Sequence, residues 1–159
     1  MQSLYDKEMV KPMWQELADI GVKPLTNSNE VDQFMANKSG TFLVIINSVC
    51  GCSAGSARPG VALALQNKVI PDHLATVFAG VDREATERAR GYIKGYPPSS
   101  PAVVLFKNGQ VVYMLERHQI EGNEAEGVAD ELIEAFNQHC TKLGPSVSES
   151  QLKKAFGLA

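Results

Sequence analysis

Two thiols one residue apart, Cys50 and Cys52 with Gly51 between them, are the feature of this 159-residue chain best suited to chemistry. A thiolate attacks a disulfide sulfur, and it also binds soft metals, so a close pair points to redox exchange or to half of a metal site. The one-residue spacing closes a smaller ring than a two-residue spacing would. A disulfide needs Cα atoms roughly 4.4–6.8 Å apart and a defined torsion, and Gly51 supplies the backbone freedom to approach that geometry. Residual strain would make such a bond easy to reduce. The expectation is a relatively oxidising couple, or an enzyme that works mainly through one cysteine. A potential as low as that of a structural disulfide would contradict it.

Competing readings of the pair are burial as small hydrophobes and metal ligation. Ser48, Gly51, Ser53, Ala54, Gly55 and Ser56 make the loop small-sided and polar, which argues against burial and leaves room for a bulky disulfide. A metal site needs further ligands. His73, His118, His139 and Cys140 show no ligand-like clustering around the loop, and His139–Cys140 joins it only if the fold brings a distant helix end close. No metal or other bound cofactor is expected. No nucleophile elbow or phosphate loop is present, so hydrolytic and phosphoryl chemistry find no support.

The rest of the composition bounds the partners. Fifteen Lys+Arg against eighteen Asp+Glu give a net charge of −3 without a basic stretch, so neither nucleic acid nor an anionic membrane has an electrostatic footprint. With 44% hydrophobic and 21% charged residues, the chain can build one ordinary core without disulfide staples. Met1 to Ile20 carries Asp6, Glu8, Glu16 and Asp19 and lacks a signal-peptide core. The longest apolar run, Phe42–Ile46, is far short of the ~20 residues a membrane helix needs. The expected compartment is the cytoplasm, where thiols stay reduced and a cysteine pair signals redox or metal chemistry rather than a structural bridge.

The elements that must position the pair alternate between helical and strand periodicity. Met9, Met13, Trp14, Leu17 and Ile20 form a helical face over Met9–Ile20, with Pro12 in the first turn and Gly21 as the stop. Asn27 with Glu30 starts a short helix running to Lys38. Thr41–Ile46 is β-branched and apolar, as suits a central strand covered on both faces, and the cysteines follow its C-terminal end. A helix is expected from Pro59 to Lys68, a strand at Thr76–Val81, and a helix from a cap at Asp82 through Arg90, with Glu84 and Arg88 four apart. Strand, helix, strand at these lengths is a parallel crossover. Pro97-Pro98-Ser99-Ser100-Pro101 interrupts regular structure. Ala102–Phe106 and Val111–Leu115 then flank Asn108-Gly109 as an antiparallel hairpin. Gly122–Cys140 closes the domain with Val128, Leu132, Ile133, Phe136 and Cys140 on one face. The expected fold is a single α/β sandwich with a mixed central sheet over 1–159, with 1–21 as an N-terminal helical extension and 146–159 as a C-terminal tail without assigned role.

Four further residues are candidates. Function in α/β sheets gathers at the carboxyl ends of the strands, and there the helix N-terminus favours an ionised Cys50. Pro101 opens the strand after the loop where thioredoxin-like folds place a cis-proline, and Ser100 would then present its backbone to an extended substrate; a plain trans-proline loop is the alternative. Arg58, a few residues past Cys52, either stabilises a thiolate or substrate carboxylate or is an exposed helix-start arginine. His118 is a surface histidine or a proton carrier. Cys140 reads as a buried thiol.

Asn47-Ser48-Val49-Cys50-Gly51-Cys52-Ser53-Ala54-Gly55-Ser56-Ala57-Arg58-Pro59, the Pro97–Pro101 segment and Glu116-Arg117-His118-Gln119-Ile120-Glu121-Gly122 together resemble the bacilliredoxins over nearly the whole chain. The resemblance implies a thioredoxin-like three-layer sandwich with an extra N-terminal helix. It implies a thiol–disulfide oxidoreductase that removes bacillithiol, as co-substrate, from mixed disulfides on cytosolic proteins. Cys50 would attack, and Cys52 or a second bacillithiol would resolve. Alternatives are a general protein disulfide oxidoreductase or isomerase, and a non-enzymatic thiol metal carrier or scaffold.

Overall fold

The computed structural model describes residues 1–36 and 39–158. Helix α1, Lys7–Ala18, is capped by the Asp6 carboxylate, which accepts from the Glu8 N–H at 2.8 Å. It starts before the expected Met9, so Pro12 lies in its interior rather than its first turn. Its buried residues are Val10 and Leu17, followed by Ile20 in the turn beyond it, and Met9 stands 54% exposed. Met13, Trp14, Leu17 and Ile20 of the expected face do pack inward, and Val10 takes the place expected for Met9 because Phe78 and Val81 lie against that side. Gly21, at φ +96°, turns the chain into the short strand β1, Lys23–Pro24. Helix α2, Ser28–Met35, starts on Asn27, whose side chain accepts from the Glu30 N–H at 2.9 Å. The Glu30 carboxylate reaches back to the N–H and hydroxyl of Thr26. The expected end of this helix at Lys38 lies outside the described residues.

Strand β2, Thr41–Asn47, is buried at every position. After it the chain passes the cysteines into a widened helical turn, Ser53–Ala57, where the Arg58 N–H donates to the Ser53 carbonyl, and continues as α3, Arg58–Ala64. Pro59 has no N–H for the Gly55 carbonyl, so the regular helical ladder cannot run through this point. The helix ends before the expected Lys68 and is followed by the short strand β3, Val69–Ile70. Strand β4 spans His73–Phe78, displaced from the expected Thr76–Val81. Its register is set at the start: the Asp72 carboxylate accepts from the N–H and hydroxyl of Thr41, and the Thr41 hydroxyl accepts from the Asp72 N–H. Gly80, at φ +84°, then turns the chain away.

Helix α4, Arg83–Gly91, begins after Asp82, whose side chain does not cap it. Its Arg88 forms a forked pair with Asp32 of α2 at 2.7 and 2.8 Å rather than serving Glu84 alone, and Tyr92 Oη donates to the same carboxylate at 2.7 Å. These donors, Arg88 first, hold the Asp32 carboxyl down at about 2. The hairpin forms as expected from β5, Ala102–Lys107, and β6, Gln110–Leu115, with positive φ at both Asn108 and Gly109. A short helix α5, Arg117–Ile120, precedes α6, Ala125–His139. Beyond it lie β7, Lys142–Leu143, and α7, Glu149–Ala155.

The main sheet has the order β1-β4-β2-β5-β6, with β1, β4 and β2 parallel and β5 antiparallel to both β2 and β6. This is the expected mixed sheet with β2 at its centre. Leu43 and Ile45 of β2 face the layer of α1, α3 and α6, while Phe42, Val44 and Ile46 face α2 and α4. Strict alternation along one strand thus builds both halves of a three-layer sandwich. Gly60 permits the closest approach of the first layer: a Cβ there would come within 2.6 Å of Val128 Cγ1 and 3.1 Å of the Ala125 carbonyl. The segment after residue 145 is part of this layer, since Leu152 joins the core cluster and Gln66 donates to the Val147 carbonyl. No described helix is long and apolar enough to cross a membrane.

Candidate active site

Cys50 and Cys52 are free thiols, both partly exposed, at the junction between the end of β2 and the first turn of the following helix. Their sulfurs lie 2.8 Å apart. The Cys50 carbonyl accepts from the Ser53 and Ala54 N–H groups at 3.0 and 3.3 Å, which starts the helix, and the Cys50 N–H donates to Ser48 Oγ at 3.2 Å. The Cys50 sulfur sits over the opening of that turn. Hydrogen bonds from the thiol and N–H of Cys52, joined by the positive charge of Arg117, lower its pKa below the usual thiol range. Burial and the adjoining Cys50 sulfur push the Cys52 thiol up. Two chemically identical side chains are thereby pushed in opposite directions, Cys50 toward its thiolate and Cys52 toward its thiol.

The loop is held from below by a buried polar hub. Asn47, fully buried at the end of β2, accepts through Oδ1 from the Ser48 N–H, the Ser53 hydroxyl and Arg58 Nη1, and donates through Nδ2 to the Met13 carbonyl of α1. Arg58 is 4% exposed and bonds neither sulfur. Its Nε pairs with Glu16 of α1 at 2.6 Å, and its Nη1 donates to the Ser48 carbonyl and to Ser53 Oγ. This corrects both expectations for Arg58. It is neither an exposed helix-start arginine nor a partner of thiolate or substrate, because the Glu16 carboxylate draws its long side chain inward.

The cation at the thiolate is instead Arg117, at the start of α5. Its Nη2 lies 3.3 Å from Cys50 Sγ, Nη1 donates to the Ser100 carbonyl at 3.3 Å, and Nε pairs with Glu121 at 3.1 Å. Its N–H is fixed by Ser99 Oγ at 2.7 Å. Sixty-seven residues separate Arg117 from Cys50, and no local spacing announces the contact. The only hint is its place beside His118 in a block with strand-end character. Arg117→Gln is expected to slow iodoacetamide alkylation of Cys50 at neutral pH about threefold, with the titration midpoint moving upward. An unchanged midpoint would remove Arg117 from thiolate stabilisation.

The Ser100–Pro101 bond is cis, and Ser100 lines one wall of an open cleft of about 530 Å³ whose other walls include Tyr5, Ser48, Cys50, Gly80, Arg90 and Arg117. The Ser100 carbonyl accepts from Arg117, which ties this wall of the cleft to the residue beside Cys50. Pro101 is buried behind it. His118 is exposed and lines a neighbouring hollow with Pro97, Pro98 and Glu121; that hollow shares Ser100 and Arg117 with the Cys50 cleft, but His118 itself does not line the cleft. Cys140 is 6% exposed and lies beside Thr41, at the start of β2. At roughly 3.3 Å per residue, the length of β2 separates it from the pair, so His139–Cys140 does not approach the loop. Among the described residues no group of three His, Cys, Asp or Glu side chains could hold a metal ion.

The chain matches a protein-family model described as disulphide isomerase over residues 5–140. It is 49% identical to a bacilliredoxin of Shouchella clausii over 138 residues, 87% of this chain and 95% of that protein. It is also 49% identical to a bacilliredoxin of Cytophaga hutchinsonii over 135 residues, 85% of this chain and 99% of that one. In structure it is similar to the thioredoxin of Fasciola hepatica, with a TM-score of 0.51 at 19% identity, covering 74% of this chain and 99% of that one. The expected thioredoxin-like fold is the observed one.

Proposed function

Since this chain belongs to the bacilliredoxin family, we propose that it is a cytoplasmic enzyme that removes bacillithiol from mixed disulfides on protein cysteines, with Cys50 as nucleophile and Cys52 as resolving thiol. Family and fold support a thiol–disulfide oxidoreductase. The observation that supports the roles within the pair is its asymmetry: Cys50 Sγ lies 3.3 Å from Arg117 Nη2 and has its ionised form favoured by Cys52 and Arg117, while Cys52 has its protonated form favoured by burial; bacillithiol as the small thiol rests on the family alone.

The chemistry is two successive exchanges. The Cys50 thiolate attacks the bacillithiol sulfur of the modified protein. A Cys50–bacillithiol disulfide forms, the original disulfide breaks, and the protein thiolate leaves and takes a proton from solvent. Cys52 then loses its proton to solvent and attacks Cys50 sulfur, expelling bacillithiol as thiolate and leaving a Cys50–Cys52 disulfide. An external dithiol returns two electrons to that bond. In the one-cysteine variant of the cycle, a second bacillithiol attacks the adduct and leaves as the symmetrical disulfide. Gly51 permits the ring closure, and Ser100, backed by the buried Pro101, forms the wall beside which the modified cysteine lies. His118 has no assigned step.

A second reading, a general disulfide isomerase, draws on the description of the matched family model. The two part in one experiment. Cys52→Ser, incubated with a bacillithiol-modified protein, is expected to carry one bacillithiol mass on Cys50 while the target regains a free thiol. A covalent enzyme–target adduct in its place would favour the isomerase. An enzyme without any adduct would overturn the assignment of Cys50.

A further inference from the structure

Arg90 stands in the wall of the Cys50 cleft with donors the protein leaves unused. It lies in the last turn of α4, about half-buried, and among the described residues its guanidinium makes a single hydrogen bond, Nη2 to the Ser99 carbonyl at 3.5 Å. Its Nε is buried without a partner, and among the described residues no carboxylate lies within ion-pair distance of it; Glu87 of the same helix acts on it only as a nearby charge. Arg58, Arg88 and Arg117 each have a carboxylate. An under-bonded, partly desolvated guanidinium costs free energy that an incoming anion would recover. A carboxylate matches its planar fork, and a cleft lined by two arginines concentrates negative charge beside the sulfur.

We propose that Arg90 is the anchor for a carboxylate on the small-thiol half of the disulfide substrate. This rests on Cys50 acting on small-thiol mixed disulfides. Arg117 is already shared between Glu121, Ser100 and Cys50, and so serves the thiolate; Arg90 holds the substrate. Anchoring the small-thiol half inside the cleft also decides which of the two sulfurs meets Cys50. The small thiol is transferred to Cys50 and the protein thiolate leaves into solvent, with no further reactant needed for this half-reaction.

The test uses one target protein bearing a single modified cysteine, so that its flanking residues are constant. The cysteine carries 3-mercaptopropionate, 2-mercaptoethanol or cysteamine, which differ in charge. The full-length enzyme is expected to prefer the carboxylate adduct over the neutral one about tenfold in kcat/KM, mostly through KM, with cysteamine poorest. Salt should shrink that preference. Arg90→Gln should bring the ratio close to one, and Arg90→Lys should retain part of it. Turnover of all three adducts without charge preference overturns this inference alone, and so does a ratio preserved in Arg90→Gln. Failure to turn over any adduct overturns the underlying reading together with it. If Arg90→Gln does not fold, Arg90→Lys carries the comparison, and a charge preference undiminished in Arg90→Lys or absent from the unmodified enzyme overturns the inference.

Discussion

Replacement of Cys50 by serine is expected to lower the rate of small-thiol release from a mixed disulfide by about 10³-fold. A serine hydroxyl in this position receives the same donors but does not ionise at neutral pH, so the nucleophile is lost while the loop geometry stays. Neither remaining thiol replaces it. Cys52 loses its Cys50 neighbour in this variant but keeps the burial that pushes its thiol up, and Cys140 is buried beyond the far end of β2. In the unmodified enzyme the rate should rise with pH through a midpoint below that of an ordinary thiol and level off above it, because the reactive form is the deprotonated one. Stopped-flow measurement of target thiol release across pH checks both statements. A Cys50→Ser variant retaining a tenth of the rate would transfer the nucleophile to Cys52 and invert the proposed cycle.

Loss of the Glu16 carboxylate is expected to be the most damaging single change to stability outside the apolar core. Glu16→Ala strips the buried Arg58 cation of its only carboxylate, paired at 2.6 Å, and leaves it facing the uncharged Asn47, Ser48 and Ser53. Removing one partner of a buried pair costs about 3–5 kcal/mol. The Glu16 side chain is 22% exposed, so water reaches the site and the lower end, about 3 kcal/mol, is expected. Urea unfolding with an unchanged slope measures it. Combining Glu16→Ala with Arg58→Met should recover part of the loss, because an apolar side chain leaves no unpaired charge. A loss of under about 1 kcal/mol would mean that the pair behaves as a surface ion pair. Because Arg58 and Asn47 also hold Ser48 and Ser53, the same variant should broaden the conformations of the cysteine loop.

The sheet was readable where local pattern and tertiary demand coincide. The continuous apolar run 41–46 has no use except between two helical layers, Asn108-Gly109 suits a tight hairpin, and the spacing Val128, Leu132, Phe136 makes one helical stripe. Reading failed where a distant partner overrides local preference. β4 begins at His73 because Asp72 and Thr41 bond reciprocally across 31 residues. Val10 rather than Met9 is buried because Phe78 and Val81 lie against that side of α1. The segment after Pro145 looks like a polar tail, yet Leu152 finds the core through α7.

By itself the sequence determined the cysteine pair and the elements around it. Two thiols flanking Gly51, at the carboxyl end of a central strand and opposite Pro101, follow from local patterning and a family resemblance. Both depend on neighbours in the chain and on the periodicities of strand and helix. Tertiary structure alone decided how those groups are charged. It brought Arg117 across 67 residues to Cys50, turned Arg58 inward to Glu16, and left Arg90 with unused donors in the same cleft. Electrostatic influence depends on distance and burial rather than on position along the chain. Three arginines that read alike in sequence therefore sit in three different environments once the sheet has placed them.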